Sequence, residues 1–171
     1  MKTTDGKNIN IRKAKPEDVG SILKLIKALA DYEKLSDQVV ATEDDLFANG
    51  FEKHRYFEAI LCEVDRRIVG FALYFYTFST FLGKPTLYLE DLFVTAEFRG
   101  RGLGRLLFEE LVNIAKQKKC GRVEWTVLDW NAPSIDFYKS IGATAKREWT
   151  IFQLDEEGIK SLLKSRSRLT A

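Results

Sequence analysis

The chain has 171 residues, 45% hydrophobic and 30% charged, which suits one compact domain and excludes a disordered segment. A net charge of +2 leaves no concentrated basic face for nucleic acid and no pull toward a membrane surface. One histidine, His54, and two distant cysteines, Cys62 and Cys120, exclude a multi-histidine metal site, a structural zinc site and a disulfide framework, so no metal is expected. Free thiols fit a reducing compartment, and the reading is cytoplasmic. The first ten residues are polar and carry no signal-peptide pattern. The longest apolar stretch, residues 68–82, is broken by Gly70, Thr77, Ser79 and Thr80 and is too short to span a bilayer.

Residues 1–8 read as a loose leader. Ile9 and Ile11 alternate with polar neighbours and predict a strand to about residue 14. Pro16 then opens a helix whose Val19, Ile22, Leu23, Ile26, Leu29 and Ala30 form one stripe ending near Glu33. The run Thr42-Glu43-Asp44-Asp45 predicts a capped short helix that stops by Asn49-Gly50. Strands follow at 56–64 and 68–78, joined tightly through Asp65-Arg66-Arg67, and a third at 86–94. After a glycine cluster at 100–104, a helix carries Leu103, Leu106, Leu107, Leu111, Ile114 and Ala115 on one side. A strand is expected at 122–128, then a helix capped by Asn131 and closed by Gly142. A last strand at about 144–154 and a short helix capped by Asp155 complete the chain, with a frayed tail from about residue 165. The order β α α β β β α β α β α predicts an α/β fold, a mixed sheet with helices on both faces. A single domain over residues 1–171 is expected, with its core at about 9–154.

The strongest local signal is Arg99-Gly100-Arg101-Gly102-Leu103-Gly104, between a strand and an amphipathic helix. Glycines let the backbone approach a ligand closely, and the free N–H groups of a helix start favour an anion. Arg99, Arg101 and Arg105 add positive charge suited to phosphate. The spacing is Gly-x-Gly-x-Gly, with Arg at 105, so the dinucleotide fingerprint fails; no Walker-type Gly-Lys-Ser/Thr occurs either. A glycine turn that merely joins strand to helix is the plain alternative.

Arg99-x-x-Gly102-x-Gly104 resembles the acetyl-CoA pyrophosphate motif of the GNAT superfamily of N-acetyltransferases. Three further stretches resemble its spermidine/spermine and thialysine branch: 25–33, Tyr88-Leu89-Glu90-Asp91-Leu92-Phe93-Val94, and 130–139 with Trp130-Asn131, Pro133-Ser134-Ile135 and Phe137-Tyr138-Lys139. The resemblance implies a mostly antiparallel mixed sheet, acetyl-CoA as co-substrate, a small cationic amine acceptor and a homodimer. It implies that Leu92, Phe93 and Val94 pair with the pantetheine arm through their backbone. It further implies that residues from Arg99 through Gly100, Arg101, Gly102, Leu103 and Gly104 to Arg105 hold the pyrophosphate. Asn131, Pro133 and Ser134 would lie beside the cofactor, and Tyr32, Glu33 and Glu90 would meet the acceptor. Tyr138 aligns with the general acid. The chain departs from its eukaryotic relatives in lacking a longer insert near 65–67 and in a shorter 142–149 connection, so no acceptor contact is carried onto Glu148.

The chemistry makes sense by itself. An alkylammonium has a pKa near ~10.4, so about one molecule in a thousand is neutral at pH 7, and a base must take its proton. Glu90 stands in an otherwise apolar strand, where it is either a solvated edge residue or that base, acting through water. Strict alternation puts Glu90 with Tyr88 and Leu92, and Asp91 with Leu89 and Phe93, unless a bulge intervenes. The phenol of Tyr138 can protonate a departing thiolate; otherwise Phe137 and Tyr138 are core aromatics. Acids at a helix end, such as Glu33 and Asp31, oppose the dipole unless they serve a cation. The expected activity is direct acetyl transfer to a small amine. The rivals are a non-catalytic CoA-binding module and a protein N-terminal acetyltransferase.

Overall fold

A computed structural model describes residues 6–167. The chain divides into two compact units, residues 1–126 and 127–171. The first contains β1 (Ile9–Lys13), α1 (Val19–Glu33), α2 (Glu43–Gly50), β2 (Glu58–Val64), β3 (Arg67–Ser79), β4 (Lys84–Val94), α3 (Leu103–Gln117) and β5 (Arg122–Trp125). The second contains α4 (Ala132–Ser140) and α5 (Glu156–Ser167).

Five strands form one sheet in the order β1-β2-β3-β4-β5. The first four are antiparallel neighbours, and α3 carries the chain over so that β5 runs parallel to β4. The β2–β3 turn is tight because Asp65 and Arg66 both adopt positive φ, at 49° and 68°, the geometry that matches strand twist. One face of the sheet offers Ala59, Leu61, Phe71, Leu73 and Phe93 to Val19, Ile22, Leu23 and Leu25 of α1 and Leu46 of α2. The opposite face receives α3, whose Leu103, Leu107 and Leu111 are fully buried. Gly70 is required there: a Cβ on it would stand 2.7 Å from the Phe93 carbonyl and 3.4 Å from Leu107 Cδ1. Helices therefore cover both faces, as expected.

The helix starts follow local capping chemistry. Thr42 Oγ1 accepts from the Asp45 amide at 3.2 Å, and Asp45 Oδ2 accepts from the Thr42 amide at 2.9 Å. Asn131 Oδ1 accepts from the Ser134 amide at 3.3 Å, Asp155 Oδ1 accepts from the Gly158 amide at 2.8 Å, and Gly142 closes α4 at φ 89°.

Three expectations change. The strand expected at 122–128 ends at Trp125. Residues 144–154 form no strand, and Trp149, Ile151 and Phe152 are exposed. Their apolar spacing is real, but a strand exists only where another strand takes its backbone groups, and no described residue pairs with them. Of the expected tail, residues 165–167 continue α5, and 168–171 lie outside the described residues; so do residues 1–5 of the expected leader.

Candidate active site

The turn before α3 is built from glycines in conformations other residues avoid. Gly100 has φ 73°, and Gly102, the N-cap of α3, has φ 77° with no side chain capping the helix. The first amides of α3 therefore keep their donors for a guest. A Cβ at Gly100, Gly102 or Gly104 would meet no atom within 4 Å beyond its own chain neighbours, so each of these three positions borders open space. That cradle of bare amides fits the diphosphate of a CoA thioester.

The three arginines divide their work. Arg99 Nε donates to the Val94 carbonyl at 2.9 Å, and its guanidinium lies 4.4 Å from the Tyr32 ring and 5.1 Å from the Phe93 ring. This side chain ties the turn to β4 and to the end of α1, and only its Nη groups remain to meet an anion. Arg101 is exposed, with its guanidinium 5.2 Å from the Phe98 ring. Arg105 pairs with Glu109 at 2.8 Å on the exposed helix surface, an arrangement worth only a few tenths of a kcal/mol (~0.3–0.5).

Beside this turn, β4 outruns its parallel neighbour. The β4–β5 ladder covers Thr86 to Leu89 opposite Arg122 to Trp125. From Glu90 to Val94 the β5-side edge of β4 has no ladder partner among the described residues. The backbone of Leu92, Phe93 and Val94 lies along that open edge.

The opposite edge of β4 holds a bulge. Leu73 pairs with Asp91, yet Tyr74 pairs with Leu89, so Glu90 is an extra residue. Strict alternation breaks here. Leu89 stands across from Tyr74 and Leu92 across from Ala72, while Asp91 and Phe93 stand across from Leu73 and Phe71 on the α1 side. The expected pairing of Asp91 with Leu89, and of Glu90 with Leu92, is corrected accordingly.

This places Asp91 among acids. Burial pushes its carboxyl up from 3.8 to about 7, and the charges of Glu90 and Glu33 push in the same direction. Burial also raises Glu33, which is half-buried at the end of α1 next to Tyr32. Neither Asp91, Glu33 nor Glu90 has a side-chain hydrogen bond or ion pair among the described residues. The bulge end of β4 and the last turn of α1 thus bring Tyr32, Glu33, Glu90 and Asp91 into one anionic neighbourhood. Asp91 was missed by the sequence reading, and only an acidic pair inside an apolar strand could have signalled it.

The raised carboxyl has a consequence for stability. Asp91 holds a proton more tightly folded than unfolded, so it costs nothing below the unfolded value and destabilises increasingly as pH climbs from about 4 to 7. The ceiling above pH 7 is about 4 kcal/mol. Asp91→Asn removes that cost, and 1 kcal/mol of it raises Tm by about 2–4 °C. Thermal unfolding is expected to show the variant at least about 2 °C above wild type at pH 8 and level with it at pH 4. Equal Tm at pH 8 would contradict the burial of this charge.

In the second unit, Asn131 is buried and caps α4, with Pro133 in the first turn and the Ser134 amide on the cap. Tyr138 is half-buried on the second turn, its ring 5.2 Å from that of Phe137.

The Acetyltransferase (GNAT) family model matches residues 23–143, more than two thirds of the chain. The chain belongs to this family. Thialysine N-epsilon-acetyltransferase of Sus scrofa is 37% identical over 166 residues, covering 91% of this acetyltransferase and 97% of the relative. Spermidine/spermine N(1)-acetyltransferase-like protein 1 of Homo sapiens is 34% identical over 92% of the chain, which spans only 24% of that longer relative. Among solved structures, an integron cassette protein from the mobile metagenome of V. cholerae superposes with TM-score 0.77 at 28% identity, covering 93% of this acetyltransferase and 99% of that chain. The match includes the glycine turn, the bulge and Tyr138, and it ends just before the 144–154 segment.

Proposed function

We propose that this acetyltransferase moves the acetyl group of acetyl-CoA directly onto the amine of a small cationic acceptor, a polyamine, diamine or thialysine-like molecule, in a ternary complex. One observation carries the choice of acceptor: Glu33, Glu90 and Asp91 share a neighbourhood that contains no cation paired with them among the described residues. Like charges held together without a counterion are unfavourable, and a cationic guest relieves them. The names of the thialysine relatives support the same class.

The roles follow from residue chemistry. Gly100 to Arg105, with the Nη groups of Arg99, hold the diphosphate. The open backbone edge at Leu92, Phe93 and Val94 receives the extended arm of the donor, and its N–H groups steady charge developing on the carbonyl oxygen. Asn131, Pro133 and Ser134 lie beside the cofactor. When bound, acetyl-CoA supplies an activated acetyl thioester. Tyr32 and Glu33 hold the acceptor, and Glu90 orients the water that takes the acceptor's proton. The Tyr138 hydroxyl delivers a proton to the departing sulfur.

Residues 1–171 act in this reading as one catalytic domain working in the cytoplasm as a homodimer. The exposed Trp149, Ile151 and Phe152 support a second copy, because apolar side chains this exposed are relieved by burial against a partner. Light scattering on the pure protein reads its oligomeric state directly.

The test is acetyl-CoA with a panel of spermidine, putrescine, thialysine, lysine and short peptides, followed by free-thiol release and mass detection of product. The expected result is acetylation of the small amines above the peptides. Thiol release with peptides alone would sink the acceptor class, and no release with any amine would sink the enzymatic reading.

A further inference from the structure

The acceptor's proton needs a destination, and a bulge in β4 supplies one. Two residues of β4, Glu90 and Asp91, occupy the length that Leu73 occupies on β3. The extra residue turns Asp91 toward the α1 side of the sheet, across from Leu73 and next to Phe93. There Asp91 is half-buried, whereas Glu90 is exposed. Its surroundings are apolar or acidic. Leu73 faces it from β3, Glu90 adjoins it on β4, and Glu33 acts on it from α1. The guanidinium of Arg99 lies over the Tyr32 and Phe93 rings and makes no pair with Asp91.

A buried acid without a partner is costly, and folds tolerate such groups chiefly where the reaction uses them. We infer that Asp91 is the proton acceptor of the reaction: the proton leaving the acceptor's ammonium passes through the water at Glu90 and comes to rest on the Asp91 carboxylate. The inference rests on the amine-acceptor reading above. The raised carboxyl supports it, since a general base works best when it titrates near the working pH.

The protons balance. The ammonium N–H bond breaks and its proton goes to Asp91. The freed nitrogen lone pair forms the C–N bond as the C–S bond breaks. Tyr138 gives its hydroxyl proton to sulfur and regains one from the N-protonated adduct, which is left as the neutral amide with its single N–H. Asp91 then releases its proton to bulk water, so each turnover frees one proton and both residues return to their starting states.

The two steady-state constants should report this differently. In the free enzyme Asp91 titrates near 7, so kcat/KM for the amine has an acid limb with its midpoint there. A bound cation stabilises the carboxylate, so the limb in kcat lies at lower pH. Thiol release is followed from pH 5.5 to 9 with spermidine and with thialysine. Wild type, Asp91→Asn, Asp91→Glu and Glu90→Gln are compared as full chains. Asp91→Asn is expected to lose about 10²–10⁴ in kcat and the limb near 7, with KM for acetyl-CoA unchanged. Asp91→Glu restores part of the rate with a displaced limb. Glu90→Gln keeps a limb, moved to lower pH by loss of a neighbouring charge.

Asp91→Asn that keeps more than a tenth of kcat, or keeps the same limb, overturns the assignment while leaving the amine reading intact. Wild type that acetylates no amine overturns both. If the asparagine variant proves poorly folded, Asp91→Ser serves in its place, and the limb shift of Glu90→Gln tests the coupling without touching Asp91.

Discussion

Gly104→Asp is expected to melt at a higher temperature and to lose most of the affinity for acetyl-CoA. The two effects come from the same few atoms. Gly104 is the second residue of α3, its φ is not positive, and a Cβ there meets nothing within 4 Å. A side chain is therefore accepted without strain. Replacing glycine inside a helix with aspartate gains about 0.3 kcal/mol, and a carboxylate in the first turn gains a further ~0.3–1 kcal/mol from the dipole. At about 2–4 °C per kcal/mol for a chain this size, Tm rises by a few degrees. The same carboxylate occupies the place where the bare amides would meet a diphosphate. Two like charges about 4 Å apart repel by about 4 kcal/mol at a surface-like dielectric of ~20. Calorimetric titration is expected to show affinity for acetyl-CoA falling by at least about 100-fold, which is about 2.7 kcal/mol. Gly104→Ala should share the stability gain with a smaller loss of affinity. If both variants bind as wild type does, the cradle before α3 is only a connector, which was the plain alternative for this glycine run.

Much of the fold was legible because it is written in short-range chemistry. Thr42 with Asp45, Asn131 with Ser134 and Gly142 each form the cap their residue types suggest, since a cap needs partners only three residues away. The turn at Asp65-Arg66 and the first five strands along the chain followed from alternation and spacing, whereas their order in the sheet did not. What could not be read depends on partners distant in sequence. Asp91 lands on the α1 side only because β4 slips one residue against β3, and no feature of the β4 sequence alone fixes that slip. Trp149 and Ile151 alternate as a strand would, yet pairing requires a neighbour, which alternation does not supply. Arg99 was read as a phosphate ligand from its place beside glycines. The structure shows its Nε donating to the Val94 carbonyl and its guanidinium 4.4 Å from the Tyr32 ring, so it also ties the glycine turn to the end of α1.

Tyr138→Phe is expected to lower kcat by about 10²–10⁴-fold, with KM for acetyl-CoA nearly unchanged. The substitution removes one hydroxyl and keeps the ring. The ring that lies 5.2 Å from Phe137 stays, and so does the Tyr138 carbonyl that accepts from the Ile141 and Ala143 amides at 3.3 and 3.1 Å. α4 therefore keeps its closing turn, and Tm should move by less than the ~2–4 °C that 1 kcal/mol produces. What is lost is a phenol hydroxyl, a group able to donate a proton to a departing thiolate. Without that donor, sulfur leaves as a bare anion, the costlier form of the leaving group at neutral pH. The defect should therefore fall on kcat, the step in which charge reaches sulfur, and spare binding, which precedes it. The contrast with Asp91→Asn is diagnostic: loss of the acid leaves the acid limb of kcat/KM in place, whereas loss of the base removes it. Steady-state rates with spermidine at saturating acetyl-CoA decide the matter. Full turnover in Tyr138→Phe would reduce this side chain to an aromatic neighbour of Phe137 and require another donor for the leaving group.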